Sequence, residues 1–148
     1  MRPALDGAAL RLTLDSGRGN IVDERLTRAL HEALASAATD PALCCVVLEG
    51  SGKDFSFGAS VEEHRVQKAP AMLKALHEVV AQLLTLPVPV LAAVRGKCLG
   101  GGLELVLACS RVWAHPSARL GCPELKLGVI APAASALLPH RVGDRAAE

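Results

Sequence analysis

Three short segments carry residues whose types and spacing suit chemistry. The first is Gly96-Lys97-Cys98-Leu99-Gly100-Gly101-Gly102-Leu103-Glu104. Three glycines in a row let another molecule approach the backbone closely, because no Cβ stands in the way. A helix starting there presents unpaired N–H groups and the positive end of its dipole, about half a charge. That suits an anion or a developing oxyanion. Glu104 follows Gly101 by three residues, so its carboxylate rises on the same side about one turn away. From there it can move a proton on an atom two or three bonds from the oxygen being held. Alone, the segment fits a flexible turn with an ordinary first-turn acid better.

The second segment, Phe55-Ser56-Phe57-Gly58-Ala59-Ser60, is a small-residue loop able to turn one backbone N–H outward. Its plainer reading is a surface loop with two packing phenylalanines. The third is Leu120-Gly121-Cys122-Pro123-Glu124-Leu125-Lys126-Leu127-Gly128. Glu124, fixed by Pro123 among apolar neighbours, is a candidate acid or base, or else a turn carboxylate paired with Lys126.

These segments need elements to position them. Leu10, Leu12 and Leu14 alternate with polar residues and end at Asp15-Ser16-Gly17, a half-buried strand and turn. Asp23 caps a helix whose inner face is Val22, Leu26, Ala29, Leu30, Ala33 and Ala37, stopped at Asp40-Pro41. The apolar run Leu43 to Leu48 is a covered strand. Met72 to Leu86 is a helix with Leu73, Leu76, Val80 and Leu83 inward, and Pro87 and Pro89 lead into strand Val90 to Val94. After the glycines come a helix to Cys109, a strand Val112 to Ala114, an extended Leu120 to Leu127 bent at Pro123, and a helix Ala133 to Val142. Arg145 to Glu148 reads as the opening of another helix. Strands alternating with helices make the class α/β with largely parallel pairing, in one domain over residues 1–148.

Composition narrows the chemistry. The chain has 148 residues, 51% hydrophobic and 21% charged, with sixteen basic and fifteen acidic side chains and a net charge of +1. With only two phenylalanines and one tryptophan as aromatics, it lacks the basic, stacking surface of a nucleic-acid binder. No apolar stretch approaches the roughly 20 residues that span a bilayer, and residues 1–17 lack the apolar core of a secretory signal. Among the five cysteines, Cys44, Cys45, Cys98 and Cys109 sit in apolar segments and read as buried thiols of a reduced, cytoplasmic compartment. No CxxC or HExxH spacing suggests a metal. His31 and His77 fall on amphipathic helices and read as partly exposed. His64, His115 and His140 have no partner at catalytic spacing, and no serine has a GxSxG context.

Taken together, the three segments change the reading. In order and spacing they resemble the enoyl-CoA hydratase/isomerase (crotonase) family, from the Asn20-Ile21-Val22-Asp23 turn to Leu127-Gly128-Val129-Ile130-Ala131-Pro132. The stretches Phe55 to His64 and Pro123 to Ser135 look most like the members that hydrate cyclic dienoyl-CoA thioesters in aromatic degradation.

The resemblance implies a crotonase-type fold of repeated strand–strand–helix units and hydration of a conjugated acyl-CoA through an oxyanion-stabilised enolate; the alternatives are a short-chain enoyl-CoA hydratase or isomerase, or a non-catalytic acyl-CoA-binding subunit. By motif position it places the two oxyanion-holding N–H groups at Phe57 and Gly101. It makes Glu104 and Glu124 the acid–base pair, with Ser56, Gly58, Ala59, Ser60 and Gly100 as substrate-binding residues. No cofactor beyond the coenzyme A of the substrate is implied, and a homo-oligomer, trimer or hexamer, is expected. Two positions depart from the family: Ser60 stands where an aspartate is usual, and Phe57 where alanine is common. Family members are longer, so the C-terminal helical region that closes the acyl pocket is expected to be missing.

Overall fold

Leu12 and Leu14 turn inward while Arg11 and Thr13 turn outward, and this alternation makes the first long strand. The computed structural model of the chain describes residues 2–4, 8–60, 62, 67 and 69–148. His64 and its neighbour Glu63 lie outside the described residues.

A short strand β1 (Arg2–Ala4) pairs antiparallel with β2 (Ala9–Leu14). Asp23 then caps α1 (Glu24–Ala37), its carboxylate accepting from the Leu26 N–H at 2.8 Å. The inner face of α1 is Leu26, Thr27, Leu30, Ala33, Leu34 and Ala37. Ala29, expected inside, is exposed. Next come β3 (Cys45–Gly50), α2 (Ala69–Thr85) and β4 (Val90–Val94). Strands β2, β3 and β4 run parallel with Leu12, Leu48 and Ala92 in register, all buried. Their apolar side chains form the layer on which the helices rest.

Strand β5 (Lys97–Leu99) leads into α3 (Gly101–Ala108), every residue of which is buried. Strand β6 (Arg111–Ala114) closes the main sheet, in order β1-β2-β3-β4-β6. It is exposed throughout, with Trp113 at 63%. Strand β7 (Arg119–Gly121) pairs parallel with β5 in a second, two-stranded sheet. Residues 123–127, expected to be extended, instead wind into a 3-10 helix (Pro123–Leu127), because proline's fixed φ suits a first helical turn as well as a strand. The chain continues through α4 (Pro132–Val142) and α5 (Asp144–Ala147). An apolar groove of about 630 Å³ runs between α3, β6, β7 and α4, lined by Leu103, Leu107, Val112, Leu120 and Leu138 among others.

Cys98 and Cys109 are buried, and burial pushes both thiols up to about 12, so neither is a nucleophile. Cys44 is exposed, contrary to the reading of its apolar surroundings, because it precedes the buried part of β3. No helix among the described residues is long and apolar enough to cross a membrane, and no group of metal-ligating side chains is assembled among them.

Candidate active site

The loop of residues 55–60 is fixed from behind. Asn20, only 2% exposed, donates from Nδ2 to the carbonyls of Ser51, Asp54 and Phe55 at 2.9, 3.1 and 3.1 Å. Its own carbonyl accepts from the Ser56 hydroxyl at 2.7 Å, and that hydroxyl accepts from the Gly58 N–H at 3.0 Å. Ser56 is fully buried and both hydrogen-bonding roles of its hydroxyl are taken, so it shapes the loop and does not face a ligand.

Phe57, expected to supply an oxyanion N–H, does not offer one. Its N–H donates to the Gly19 carbonyl at 2.7 Å. Its ring lies against Gly19 and under the Lys97 ammonium, 4.8 Å from the ring centroid. The cause is local. Gly58 adopts φ 101°, which turns the chain between Phe57 and Ala59. Ala59 then pairs as a parallel bridge with Val22, which donates to the Gly58 carbonyl at 2.9 Å and accepts from the Ser60 N–H at 3.3 Å. In that pattern the Ala59 N–H points the other way, toward α3, and has no acceptor among the described residues. Its nitrogen lies 3.1 Å from where a Cβ on Gly101 would sit.

Gly101 is the first residue of α3, capped by no side chain, so its N–H lacks an intrahelical acceptor. The Gly100 N–H is taken by the Gly121 carbonyl at 2.9 Å, which ties the helix start to β7. Gly100 itself must be glycine for two reasons: its φ is 49°, and a Cβ there would overlap Glu124 Oε1.

Glu104 and Glu124 meet in one small cavity with Ala59, Gly101, Leu76 and Ile130. Its volume of about 10 Å³ is on the order of one water molecule. Glu104 is only 2% exposed, and its Oε1 accepts from the Ala133 and Ala134 N–H groups at 2.8 and 3.2 Å. These belong to the first turn of α4, so a helix N-terminus holds the carboxylate. Glu124 Oε2 is buried with no hydrogen-bond partner among the described residues. A buried, unsatisfied carboxylate oxygen is costly, and its place here is in the same cavity as Glu104. Beside them, burial and then the charges of Glu124 and Glu104 push the Cys122 thiol up. A second, larger cavity of about 210 Å³ adjoins through Glu124, Ile130 and Ala131 and is lined also by Ser135 and Leu138.

Burial raises the Glu104 pKa; the two α4 amides and His77 oppose that rise, and the charge of Glu124 adds to it. Its pKa in the folded chain therefore lies above the unfolded value. The stability it contributes is full below the unfolded pKa and is lost as pH rises through the folded one. Glu104→Gln keeps an oxygen for the α4 amides and removes the buried charge. We expect it to equal or exceed the parent chain in stability at neutral pH, with the gap closing toward acid pH. Urea denaturation at the two pH values checks this, and a less stable variant at neutral pH contradicts it.

A largely parallel sheet layered by helices, with a glycine-opened helix start facing one buried and one half-buried glutamate, is the architecture of the crotonase fold. Solved structures agree: the enoyl-CoA hydratase from Bacillus anthracis superposes with a TM-score of 0.90 over 95% of this chain and 57% of that one, at 29% identity. The enoyl-CoA hydratase/isomerase family model matches residues 7–148, and the chain belongs to that family. Among curated relatives, cyclohexa-1,5-dienecarbonyl-CoA hydratase of Thauera aromatica is 50% identical over 143 residues, 97% of this chain and 55% of the relative. A probable enoyl-CoA hydratase of Bacillus subtilis is 35% identical, covering 95% of this chain and 56% of that protein. The chain spans about half the length of these relatives.

Proposed function

We propose that the chain carries the oxyanion and acid–base half-site of a hydratase that adds water to a conjugated acyl-CoA thioester. The observation that carries this reading is the convergence of two outward amides, Ala59 and Gly101, with Glu104 and Glu124 at one water-sized cavity. The thioester oxygen accepts from the two amides. As water adds at the far end of the conjugation, negative charge accumulates on that oxygen, and the amides meet it there; removing one such donor typically costs 10²–10³ in rate. Glu104, made more basic by burial, takes a proton from the water as its oxygen bonds to carbon. Glu124, which also lines the adjoining larger cavity, delivers a proton to the α-carbon, and the thioester carbonyl re-forms. The substrate brings its own coenzyme A, and no step calls for a further cofactor.

A cyclic dienoyl group is the favoured acyl moiety. Its support is the name borne by the 50% identical relative and the apolar cavity adjoining Glu124. The test is hydration of cyclohexa-1,5-diene-1-carbonyl-CoA against crotonyl-CoA, followed by loss of the conjugated thioester absorbance. Faster turnover of the cyclic substrate is expected. Preference for crotonyl-CoA would make the chain a short-chain enoyl-CoA hydratase, and turnover of neither would end the hydratase reading.

A further inference from the structure

Glu124 lines two cavities of very different size. The one it shares with Glu104, about 10 Å³, has room for a water and nothing larger. The adjoining one measures about 210 Å³, and an apolar cavity of about 150 Å³ is enough to take up benzene. A six-membered carbon ring therefore fits the second and not the first. The groove between α3 and β6 is roomier still, but neither glutamate lines it, so a ring lodged there is out of reach of the acid–base pair.

Helix α4 shapes the second cavity. Ala131 at its N-cap, then Ala134, Ser135, Leu138 and Pro139, follow the i, i+3, i+4, i+7, i+8 spacing of one helix face, and all five line the cavity. Three of the five are small, which leaves space between α4 and the 3-10 helix that carries Glu124. The Ser135 hydroxyl donates to the Ala131 carbonyl at 3.0 Å, so it brings no free hydrogen to the cavity. Cys122 brings a thiol that burial keeps neutral. Apart from Glu124, the other side chains of the wall are hydrocarbon. Such a wall holds a ring by apolar contact, with one carboxylate beside it.

Ile130 stands where the two cavities meet, since it lines both together with Glu124 and Ala131. It is 63% exposed, which puts it on the rim. A single exposed isoleucine is ordinary, but on this rim it offers a bound ring apolar surface to bury against. Ala147 of α5 lines the larger cavity and not the water-sized one.

We propose that the 210 Å³ cavity is the subsite for a carbocyclic acyl group, with Ile130 and Ala147 as its specificity-determining residues. Ile130 packs on the ring where it passes Glu124, and Ala147 limits how far the ring goes in. The proposal deepens the hydratase reading and rests on it for the place of the thioester. Binding is read by calorimetry on the whole chain with two saturated thioesters that cannot be hydrated, cyclohexanecarbonyl-CoA and butanoyl-CoA. The parent is expected to bind the cyclic one more tightly. Ile130→Ala removes apolar contact and Ala147→Leu fills the cavity. Each is expected to cut the cyclic-to-linear affinity ratio about tenfold, the low end of what a methylene is worth in such a pocket. Ile130→Leu, which keeps the bulk, is expected to hold the ratio near that of the parent. Both positions are at least partly exposed, so the core does not depend on them, and should one variant unfold the other decides. A ratio that neither variant moves, or a parent with no preference for the ring, overturns the proposal. Hydration of cyclohexa-1,5-diene-1-carbonyl-CoA on the same samples keeps the two readings apart. Ring preference that the variants lose, with no hydration by the parent, fails only the hydratase reading. Hydration with an unmoved ratio fails only this one.

Discussion

Glu124→Gln is expected to lower the rate of acyl-CoA hydration about 10²–10⁴-fold, the usual worth of a positioned acid or base, while acyl-CoA binding holds within a few-fold. Glutamine keeps the shape of Glu124 beside Gly100, where the side chain already fills the space a Cβ would take. What it cannot do is give up and regain a proton. Glu104→Gln is expected to lose a similar factor from kcat. The two losses should not add, because both groups act in one addition step. The double variant therefore falls only slightly below the worse single one. Single-turnover measurements with a binding assay separate the terms. Either single variant within about tenfold of the parent rate would exclude the paired-carboxylate mechanism.

How far the sequence foretold this site follows from how local each feature is. The glycine triplet opening α3, with Glu104 one turn on, is written within five residues, and the structure places it there. The Asp23 cap is equally local. The outward amide is not. It depends on Gly58 reversing the chain and on Val22, more than thirty residues earlier, taking the alternate groups of the loop. Motif position therefore pointed to Phe57, two residues from Ala59. A clue was present in the glycine itself, since a glycine inside an extended loop marks a change in which way the amides face. The short strands β1 and β5 were missed because three residues carry no periodicity. The burial of His77 Nε2 likewise depends on how α2 and α3 pack, which helical spacing alone does not encode.

Asn20 shows the same dependence most strongly, and it yields the second large effect. A turn asparagine in sequence, it is in the fold the bracket that holds residues 51–56 in place. Asn20→Ala removes both Nδ2 protons and leaves the Ser51, Asp54 and Phe55 carbonyls short of a donor, which costs about 1–3 kcal/mol for buried acceptors. Asn20 also stands at φ 46°, where alanine adds about 1 kcal/mol that asparagine largely avoids. Together we expect a loss of about 2–4 kcal/mol in urea denaturation. Asn20→Gly keeps the backbone freedom but not the donors, so it should recover only the smaller part. Asn20→Asp puts a carboxylate against three carbonyls and should be the worst of the three. If the bracket sets the direction of the Ala59 amide, the glycine variant loses hydration rate out of proportion to its stability, since a donor about 1 Å out of place no longer meets the oxyanion. Stability of Asn20→Ala within about 0.5 kcal/mol of the parent would show that these hydrogen bonds do not hold the loop.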